Sequence, residues 1–235
     1  MKRIKSIIAF GCSHTAGCEL NNVSWNDYFR ANNSILINDI ITKDLSYPNK
    51  LAKMLDVPCY NYAMSAGSND RSLRLLPKAL LNHPDSLVLF GWTNPFRREF
   101  FVPESNFYAQ DSDNFIQVGI HLYNMSSKCK NIKIHPINKI FVEQIAYPHS
   151  NLIYRSSYVE SICKLYSSEY YHLLFFPEEK LPTDLKNKFD FEGDDNFLDW
   201  CQSRKFNYFE GNHFEEKAHI ELANLLYEDL KKSNH

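Results

Sequence analysis

The feature that most limits how this chain can fold is a short apolar run that stops at a glycine. Residues 7–10 are apolar without alternation, which is typical of a strand buried on both faces of a parallel sheet. The run predicts a first strand over residues 4–10. Gly11 then breaks the run, and Ser13 follows in a polar turn over residues 11–17. We therefore expect a serine at the carboxyl end of the first strand.

Strand and helix patterns alternate along the rest of the chain. Strands are predicted over residues 58–62, 86–90, 171–176 and 206–209, and helices over residues 47–55, 70–81, 141–168 (interrupted near Pro148) and 215–230. Such alternation favours a parallel sheet with helices on both faces. The prediction is one α/β domain over residues 1–235, a three-layer α/β/α sandwich with a central parallel sheet of about five strands.

Three stretches lack a sustained hydrophobic period. Residues 19–46 are rich in Asn and Asp and are predicted to be mostly loop, and the acidic residues 190–195 a solvated loop. Residues 103–140 are rich in Asn, Ser and aromatic side chains. So long an irregular stretch in a compact domain is typical of a lid or a substrate-facing insertion.

Composition and charge exclude several classes of protein. The 235 residues are 44% hydrophobic and 23% charged with a net charge of −2, so neither nucleic acid nor a membrane is expected as a partner. The apolar run near the N-terminus is too short for a signal-peptide core or a membrane span, which predicts a cytoplasmic protein. The six cysteines contain no C-x-x-C pair, and a cluster of Cys12, His14 and Cys18 lacks a fourth ligand at a usual spacing, so no metal site is expected.

Glycine is scarce, and its positions are informative. Four of the seven glycines, Gly11, Gly67, Gly91 and Gly211, fall one in each of four polar blocks. These blocks follow the predicted first, second, third and fifth strands. Glycine marks backbone that turns sharply or approaches a ligand closely, and the carboxyl ends of parallel strands meet at one edge of a sheet. We therefore expect the four blocks to form one site.

Ser13 and the block of residues 210–213 contain the residue types of an activated serine. A serine hydroxyl becomes a good nucleophile when an imidazole takes its proton and a carboxylate orients that imidazole. We predict Ser13 as the nucleophile, His213 as the general base and Glu210 as the orienting carboxylate. The alternative for Ser13 alone is that it caps a helix.

The ordered set of blocks resembles the SGNH (GDSL-like) hydrolases, in which a G-x-S block follows the first strand and a D-x-x-H block lies near the C-terminus. Glu210 replaces the usual aspartate here and is one methylene longer, so a Ser13–His213 dyad is an alternative to the triad. The run Gly91-Trp92-Thr93, followed by Arg-Arg-Glu-Phe, also resembles uncharacterised phage-encoded members of this group. The resemblance implies a flavodoxin-like arrangement of the sheet.

The resemblance also implies an oxyanion hole. Its donors would be the N–H groups of Ser13 and Gly67 and the side-chain amide of Asn94. The asparagine comes one residue late compared with the family's G-x-N-D block, so the hydroxyl of Thr93 is the alternative donor. The alternative for the Gly67 block is an ordinary turn capped by Ser68 or Asn69.

Other polar residues near these blocks have two interpretations each. Arg97 and Arg98 either bind a substrate carboxylate or phosphate or belong with Glu99 to a surface ion-pair cluster. His14 either lines the pocket or marks the start of a helix. His219 is expected to pack within the last helix or to face solvent.

The expected reaction is hydrolysis of an ester through an acyl-serine intermediate, with no metal or organic cofactor. The substrate is expected to be a small-molecule or glycan ester, since members of the resembled family act on acetylated sugars, lipids, thioesters and simple esters. A short-acyl ester on a carbohydrate is favoured among these. The aromatic side chains of the insertion would stack on sugar rings or line an acyl pocket, and the alternative is that they belong to the core. Two alternatives stay open: an O-acyltransferase, and a non-catalytic glycan-binding or interaction domain on the same fold.

Overall fold

The computed structural model describes residues 4–20, 42–65, 67–94, 97–101, 115–118, 149–176, 185, 187–209 and 213–232. The strands are β1 (Ser6–Phe10), β2 (Cys59–Asn61), β3 (Ser86–Trp92), β4 (Arg98–Phe101), β5 (Phe115–Val118) and β6 (Glu169–Leu174). The helices are α1 (Ser13–Ala16), α2 (Tyr47–Leu55), α3 (Asn69–Asn82), α4 (His149–Leu165), α5 (Phe197–Ser203) and α6 (Glu216–Lys232). A 3₁₀ turn at Lys43–Leu45 precedes α2.

Four parallel strands form the central sheet in the order β2-β1-β3-β6. Strand β1 lies at the centre and is fully buried, as its apolar sequence predicts. Its register with β3 pairs Ser6 with Ser86 and Phe10 with Phe90. Strand β3 continues two residues beyond this pairing, to Trp92, so Gly11, just after β1, lies beside Gly91 within β3.

Alternate residues of β1 divide between two hydrophobic cores. Ile7 and Ala9 pack in one core with residues of α2, α5 and α6. Ile8 and Phe10 pack in the other core with residues of α3 and α4. Helices thus cover both faces of the sheet, which confirms the predicted three-layer α/β/α sandwich with a parallel sheet, in the 2-1-3 strand order of flavodoxin-like folds.

The predicted fifth strand over residues 206–209 is wrong. Tyr208 makes only an isolated antiparallel bridge, to Phe214. The outer side of β6 is instead bonded by residues 187–189, through the N–H of His172 to the oxygen of Asn187 and the N–H of Phe189 to the oxygen of His172, each at 2.9 Å. That segment occupies the hydrogen-bonding positions beside β6 where a fifth strand would lie. The described sheet therefore has four strands.

One helix and a small two-stranded sheet were not predicted. Helix α5 begins after Asn196, whose side-chain oxygen accepts the N–H of Asp199. Strands β4 and β5 form a small antiparallel sheet, of which β5 lies within the predicted insertion at residues 103–140. The rest of that insertion and residues 21–41 of the predicted loop lie outside the described residues. Among the helices described, none is long and apolar enough to cross a membrane.

Candidate active site

Three glycines hold the first three polar blocks against one another. A Cβ atom on Gly67 would lie 2.8 Å from the carbonyl oxygen of Gly11, and one on Gly91 would lie 3.0 Å from the oxygen of Phe10. A Cβ on Gly11 would lie 2.4 Å from Oγ1 of Thr15 and 3.2 Å from the oxygen of Gly91. The blocks therefore meet at one place because each lacks a side chain there. Gly211 of the fourth block lies outside the described residues.

Ser13 is the first residue of α1, immediately beyond the carboxyl end of β1. The N-cap is Cys12, whose side chain makes no capping hydrogen bond, so the alternative that Ser13 is the cap is wrong. As the first helical residue, Ser13 has a backbone N–H with no acceptor inside the helix. Its side chain is nearly buried, with 6% of the residue exposed. Ser13 is thus held at the edge of the sheet where ligands of such folds bind.

His213 lies three residues before the start of α6. The N–H of Phe209 donates to the oxygen of His213 at 2.7 Å, and the N–H of Glu215 donates to the oxygen of Asn207 at 3.0 Å. These two bonds fold residues 207–209 back onto residues 213–215. The segment wrongly predicted as a strand thus makes the hydrogen bond that holds the backbone oxygen of His213.

A buried carboxylate meets His213, and it belongs to Glu19. Nδ1 of His213 lies 2.6 Å from Oε2 of Glu19, and their side chains are only 6% and 1% exposed. An ionised carboxylate can only accept a hydrogen bond, so with Glu19 ionised the proton of a neutral imidazole is on Nδ1. The lone pair of Nε2 is then available to accept a proton, which is the state a general base requires.

The backbone at Glu19 is unusual in a way that serves this contact. Helix α1 ends at Gly17 in a left-handed conformation (φ 81°), and Glu19 itself has φ 64°. Six other described residues besides glycine have positive φ: Asp56, Asp85, Ser167, Asn187, Glu192 and Lys205. None of the six is buried, whereas Glu19 is. The left-handed backbone conformation is disfavoured for residues other than glycine, so the surrounding structure must hold Glu19 in place.

Glu210, the predicted orienting carboxylate, lies outside the described residues, and its role stays a prediction. Sequence reasoning missed Glu19 because it placed that residue at the start of a loop. The available signal was that Glu19 is the first acidic residue of the chain and follows Gly17 at the end of the first block.

His14 packs beside His213 within a group of aromatic rings. Its ring centroid lies 5.0 Å from that of His213, and it also contacts the rings of Phe175, Phe176, Phe197 and Phe214. Burial lowers the pKa of His14 well below its usual value, and the charges of His213, His219 and Arg97 add to this. Its Nδ1 atom is buried and has no hydrogen-bond partner among the described residues. His14 is the second residue of α1, so the interpretation that it marks the start of a helix is confirmed. Its neutral ring lies beside that of His213, and a role in lining a pocket stays a prediction.

His219 is buried, in agreement with the prediction that it packs within the last helix. Its Nδ1 accepts the backbone N–H of Tyr47 at 3.2 Å, which joins α6 to α2. Burial is the main cause that lowers the pKa of His219 to about 3. It is thus a neutral structural histidine.

Gly67 lies where the second block was predicted, but its N–H is already engaged. That N–H donates to the oxygen of Met64 at 3.0 Å. A role for it in an oxyanion hole stays a prediction, and it would require this bond to be shared or broken. The alternative of a capped turn is present as well, because the Ser68 side chain accepts the N–H of Arg71 at the start of α3.

Thr93 leaves the end of β3 in a rigid setting. Its N–H donates to Oδ1 of Asn69, and its oxygen accepts from Nδ2 of the same side chain, both at 2.9 Å. Thr93 and Asn69 are each 1% exposed. Asn94 is half-buried, and its carbonyl oxygen accepts the N–H of Arg97 at 3.1 Å.

Of the predicted cluster, the side chains of Arg97 and Glu99 are described, and the side chain of Arg98 lies outside the described part of the chain. Arg97 donates from Nη1 to Oγ1 of Thr93 at 2.9 Å, and its guanidinium lies 5.7 Å from the ring centroid of Phe176. Glu99 pairs with Arg74, at 2.7 and 2.8 Å. Both interpretations of the arginines, binding of a substrate anion and a surface ion-pair cluster, stay predictions. In the part of the chain that is described, no group of three His, Cys, Asp or Glu side chains could hold a metal ion.

No family model matches this chain, and no curated protein matches it. Several solved structures align with most of this chain at low identity. A carbohydrate esterase has 14% identity and a TM-score of 0.46 over 98% of this chain and 69% of its own. The esterase EstA from Pseudoalteromonas sp. has 12% identity and a TM-score of 0.40 over 97% of each chain. A G-D-S-L family protein from Desulfitobacterium hafniense has 12% identity and a TM-score of 0.36 over 95% of this chain and 98% of its own.

Proposed function

We propose that this protein is a serine hydrolase that cleaves carboxylic esters through an acyl-serine intermediate. The observation that carries the proposal is the buried pair of His213 and Glu19 beside the helix that begins at Ser13. A histidine whose Nδ1 is held by a carboxylate is the arrangement that activates a serine hydroxyl. A second buried histidine, His14, follows Ser13 directly in the chain and contacts His213, which supports the closeness of Ser13 and His213.

In the proposed reaction, Oγ of Ser13 attacks the ester carbonyl carbon while Nε2 of His213 takes its proton. The carbonyl π electrons move to oxygen and give a tetrahedral oxyanion, which the N–H of Ser13 would help to stabilise. Collapse of this intermediate expels the alkoxide, which takes the proton from His213. Water then repeats the sequence on the acyl-serine and releases the acid.

We assign the orienting role to Glu19. A carboxylate on Nδ1 fixes the tautomer of the imidazole and stabilises the imidazolium that forms during the reaction. Because both side chains are buried, removal of either partner would leave an unbalanced polar group in a medium of low dielectric, where that is costly.

The substrate class that we propose first is a short-acyl ester on a carbohydrate. It rests on the resemblance of the four blocks to a family that includes esterases of acetylated sugars. A panel of acetylated mono- and oligosaccharides, compared with p-nitrophenyl esters of two to twelve acyl carbons, would test it. We expect acetate release from the sugars and activity that falls with chain length; activity that rises with chain length would contradict the proposal.

The proposed reaction is tested without knowledge of the substrate. Wild type, Ser13→Ala and Ser72→Ala are each treated with a fluorophosphonate, and intact mass and the modified peptide are read. Ser72 is a matched control, since it is also a buried serine but lies within α3. We expect one adduct, on Ser13, that is lost only in Ser13→Ala. A folded wild-type protein that gains no adduct, and that releases no product from any ester, would refute the proposed function.

A further inference from the structure

Thr93 follows the end of β3, and β3 is the neighbour of β1, the strand that precedes Ser13. Phe10 of β1 pairs with Phe90 of β3, and a Cβ atom on Gly11, the next residue of the segment that leads to Ser13, would lie 3.2 Å from the oxygen of Gly91. Neighbouring strands are about 4.8 Å apart. The packing of α1 agrees with this placement, because Oγ1 of Thr15 would lie 2.8 Å from a Cβ atom on Gly91. Thr93 thus leaves its strand beside the segment that carries Ser13.

Two hydrogen bonds fix the backbone of Thr93. Both of its polar backbone atoms bond to the side chain of Asn69. Asn69 is itself the first residue of α3, two residues beyond Gly67. This one side-chain amide therefore joins the second block to the third. Because the backbone of Thr93 is already fixed, no free energy is spent on positioning its side chain when the reaction occurs.

The hydroxyl of Thr93 is polarised by a cation. It accepts a hydrogen bond from Nη1 of Arg97 at 2.9 Å. A hydroxyl has one hydrogen and two acceptor positions, and among the described residues the Thr93 hydrogen has no acceptor. Accepting a bond from a charged donor strengthens the bond that the hydroxyl donates in turn.

Arg97 is itself placed to act on this site. Its guanidinium lies against Phe176, whose ring also contacts His14. Burial is the main cause of the low pKa of His14, and the charge of Arg97 adds to it, so the guanidinium lies within electrostatic reach of the site. No carboxylate among the described residues pairs with Arg97.

We propose that the Thr93 hydroxyl donates a hydrogen bond to the developing oxyanion, with Arg97 as the positioning residue that holds and polarises it. The inference rests on the proposed function and assigns the side-chain donor to Thr93 rather than to Asn94. No proton is transferred in this step: the hydroxyl hydrogen stays on Thr93 while negative charge forms on the former carbonyl oxygen. Asn94 differs from Thr93 in being only half-buried.

The test measures the second-order rate constant for fluorophosphonate labelling of Ser13, because the phosphoryl oxygen occupies the same position as the oxyanion. Thr93→Val removes the hydroxyl and keeps the shape, Thr93→Ser keeps the hydroxyl, and Asn94→Ala removes the competing donor. We expect a loss of about 10²- to 10³-fold for Thr93→Val, with Thr93→Ser and Asn94→Ala each within about tenfold. Thermal melting of each variant verifies that it is folded.

The role of Arg97 needs a separate readout. Arg97→Gln and the double variant Thr93→Val/Arg97→Gln are assayed on p-nitrophenyl butyrate and on p-nitrophenyl hemisuccinate, which differ by a carboxylate. We expect Arg97→Gln to lower kcat about tenfold on both esters with little change in KM. The double variant should be no slower than Thr93→Val alone, because the two residues act through one bond.

Three outcomes would overturn the inference. One is a Thr93→Val variant that labels within threefold of wild type. Another is an Asn94→Ala variant that loses more than Thr93→Val does. The third is a loss for Arg97→Gln that is confined to the hemisuccinate, since Arg97 would then bind a substrate carboxylate. Failure of the proposed function is distinguishable from all three, because wild type itself would then neither label nor turn over.

Discussion

His213 and His219 lie six residues apart, both buried, and their hydrogen bonds prepare them for opposite roles. Nδ1 of His213 meets an acceptor, the carboxylate of Glu19, so Nε2 can take a proton. Nδ1 of His219 meets a donor, the N–H of Tyr47, so in the neutral ring the proton is on Nε2. The ring that can act as a base is thus distinguished by what its Nδ1 touches, and burial alone does not make a histidine catalytic.

The strongest test of this comparison exchanges each histidine for glutamine. His213→Gln should lower kcat by about 10⁵- to 10⁶-fold, because loss of the base removes activation of the serine. His219→Gln should keep kcat within about tenfold, since a glutamine oxygen can still accept the Tyr47 N–H, and should instead lower the thermal midpoint. Kinetics and melting curves measured on both variants verify this. Equal losses of kcat in two folded variants would contradict the division of roles.

A smaller effect should separate the two candidate carboxylates. Glu19→Gln keeps the size of the side chain but offers an amide that can hold the imidazole in the wrong tautomer, so kcat should fall about 10³- to 10⁴-fold. Glu210→Gln is the matched variant of the other candidate, and we expect a loss of less than about tenfold. If Glu210→Gln has the larger effect, Glu19 is a structural partner of His213 and Glu210 is the orienting residue.

The smallest effect concerns stability, and it comes from the structural histidines. Burial lowers the pKa of His172 to about 4 and that of His219 to about 3, from a usual value of 6.5. A lowered pKa means that the unfolded chain binds more protons, so this stability is complete above pH 6.5 and is lost as pH falls towards 4. Each histidine should contribute a loss of about 2 kcal/mol between pH 7 and pH 5.

This pH dependence is measured by urea unfolding of the Ser13→Ala variant, with Trp92 as a probe, because its indole N–H donates to His172. In His219→Gln the free energy of unfolding should be lower at pH 7 but should depend less on pH. If the free energy of unfolding depends on pH as steeply in His219→Gln as in the parent protein, His219 is not neutral in the folded protein.

The sequence predicted elements that depend on local pattern. Helix α2 has the predicted bounds, with Pro48 in its first turn, and β1 and β3 were found from their uninterrupted apolar runs. Residues 206–209 were misjudged because aromatic side chains fit a strand pattern equally well, and only the bonds to residues 213–215 decide the outcome. Helix α5 was missed, although Asn196 and Asp199 form a capping pattern at its start.

The candidate site shows the same difference between what local pattern predicts and what depends on tertiary contacts. Ser13 and His213 could be selected because their blocks carry a recognisable order along the chain. The partner of His213 could not, because the contact with Glu19 joins residues 194 positions apart and depends on the left-handed backbone after α1. The two bonds between Asn69 and Thr93, which lie 24 positions apart, are likewise tertiary contacts that no sequence spacing reveals.

The turn after α1 also anchors the chain where it returns. The N–H of Thr42 donates to the oxygen of Gly17 at 3.0 Å, and Leu20 packs against the same glycine. The chain therefore departs just after Glu19 and comes back at Thr42 to the residue that ends α1. A Cβ atom on Gly17 would lie 2.6 Å from the oxygen of Thr42, so a side chain there would push the returning chain away from the turn that carries Glu19.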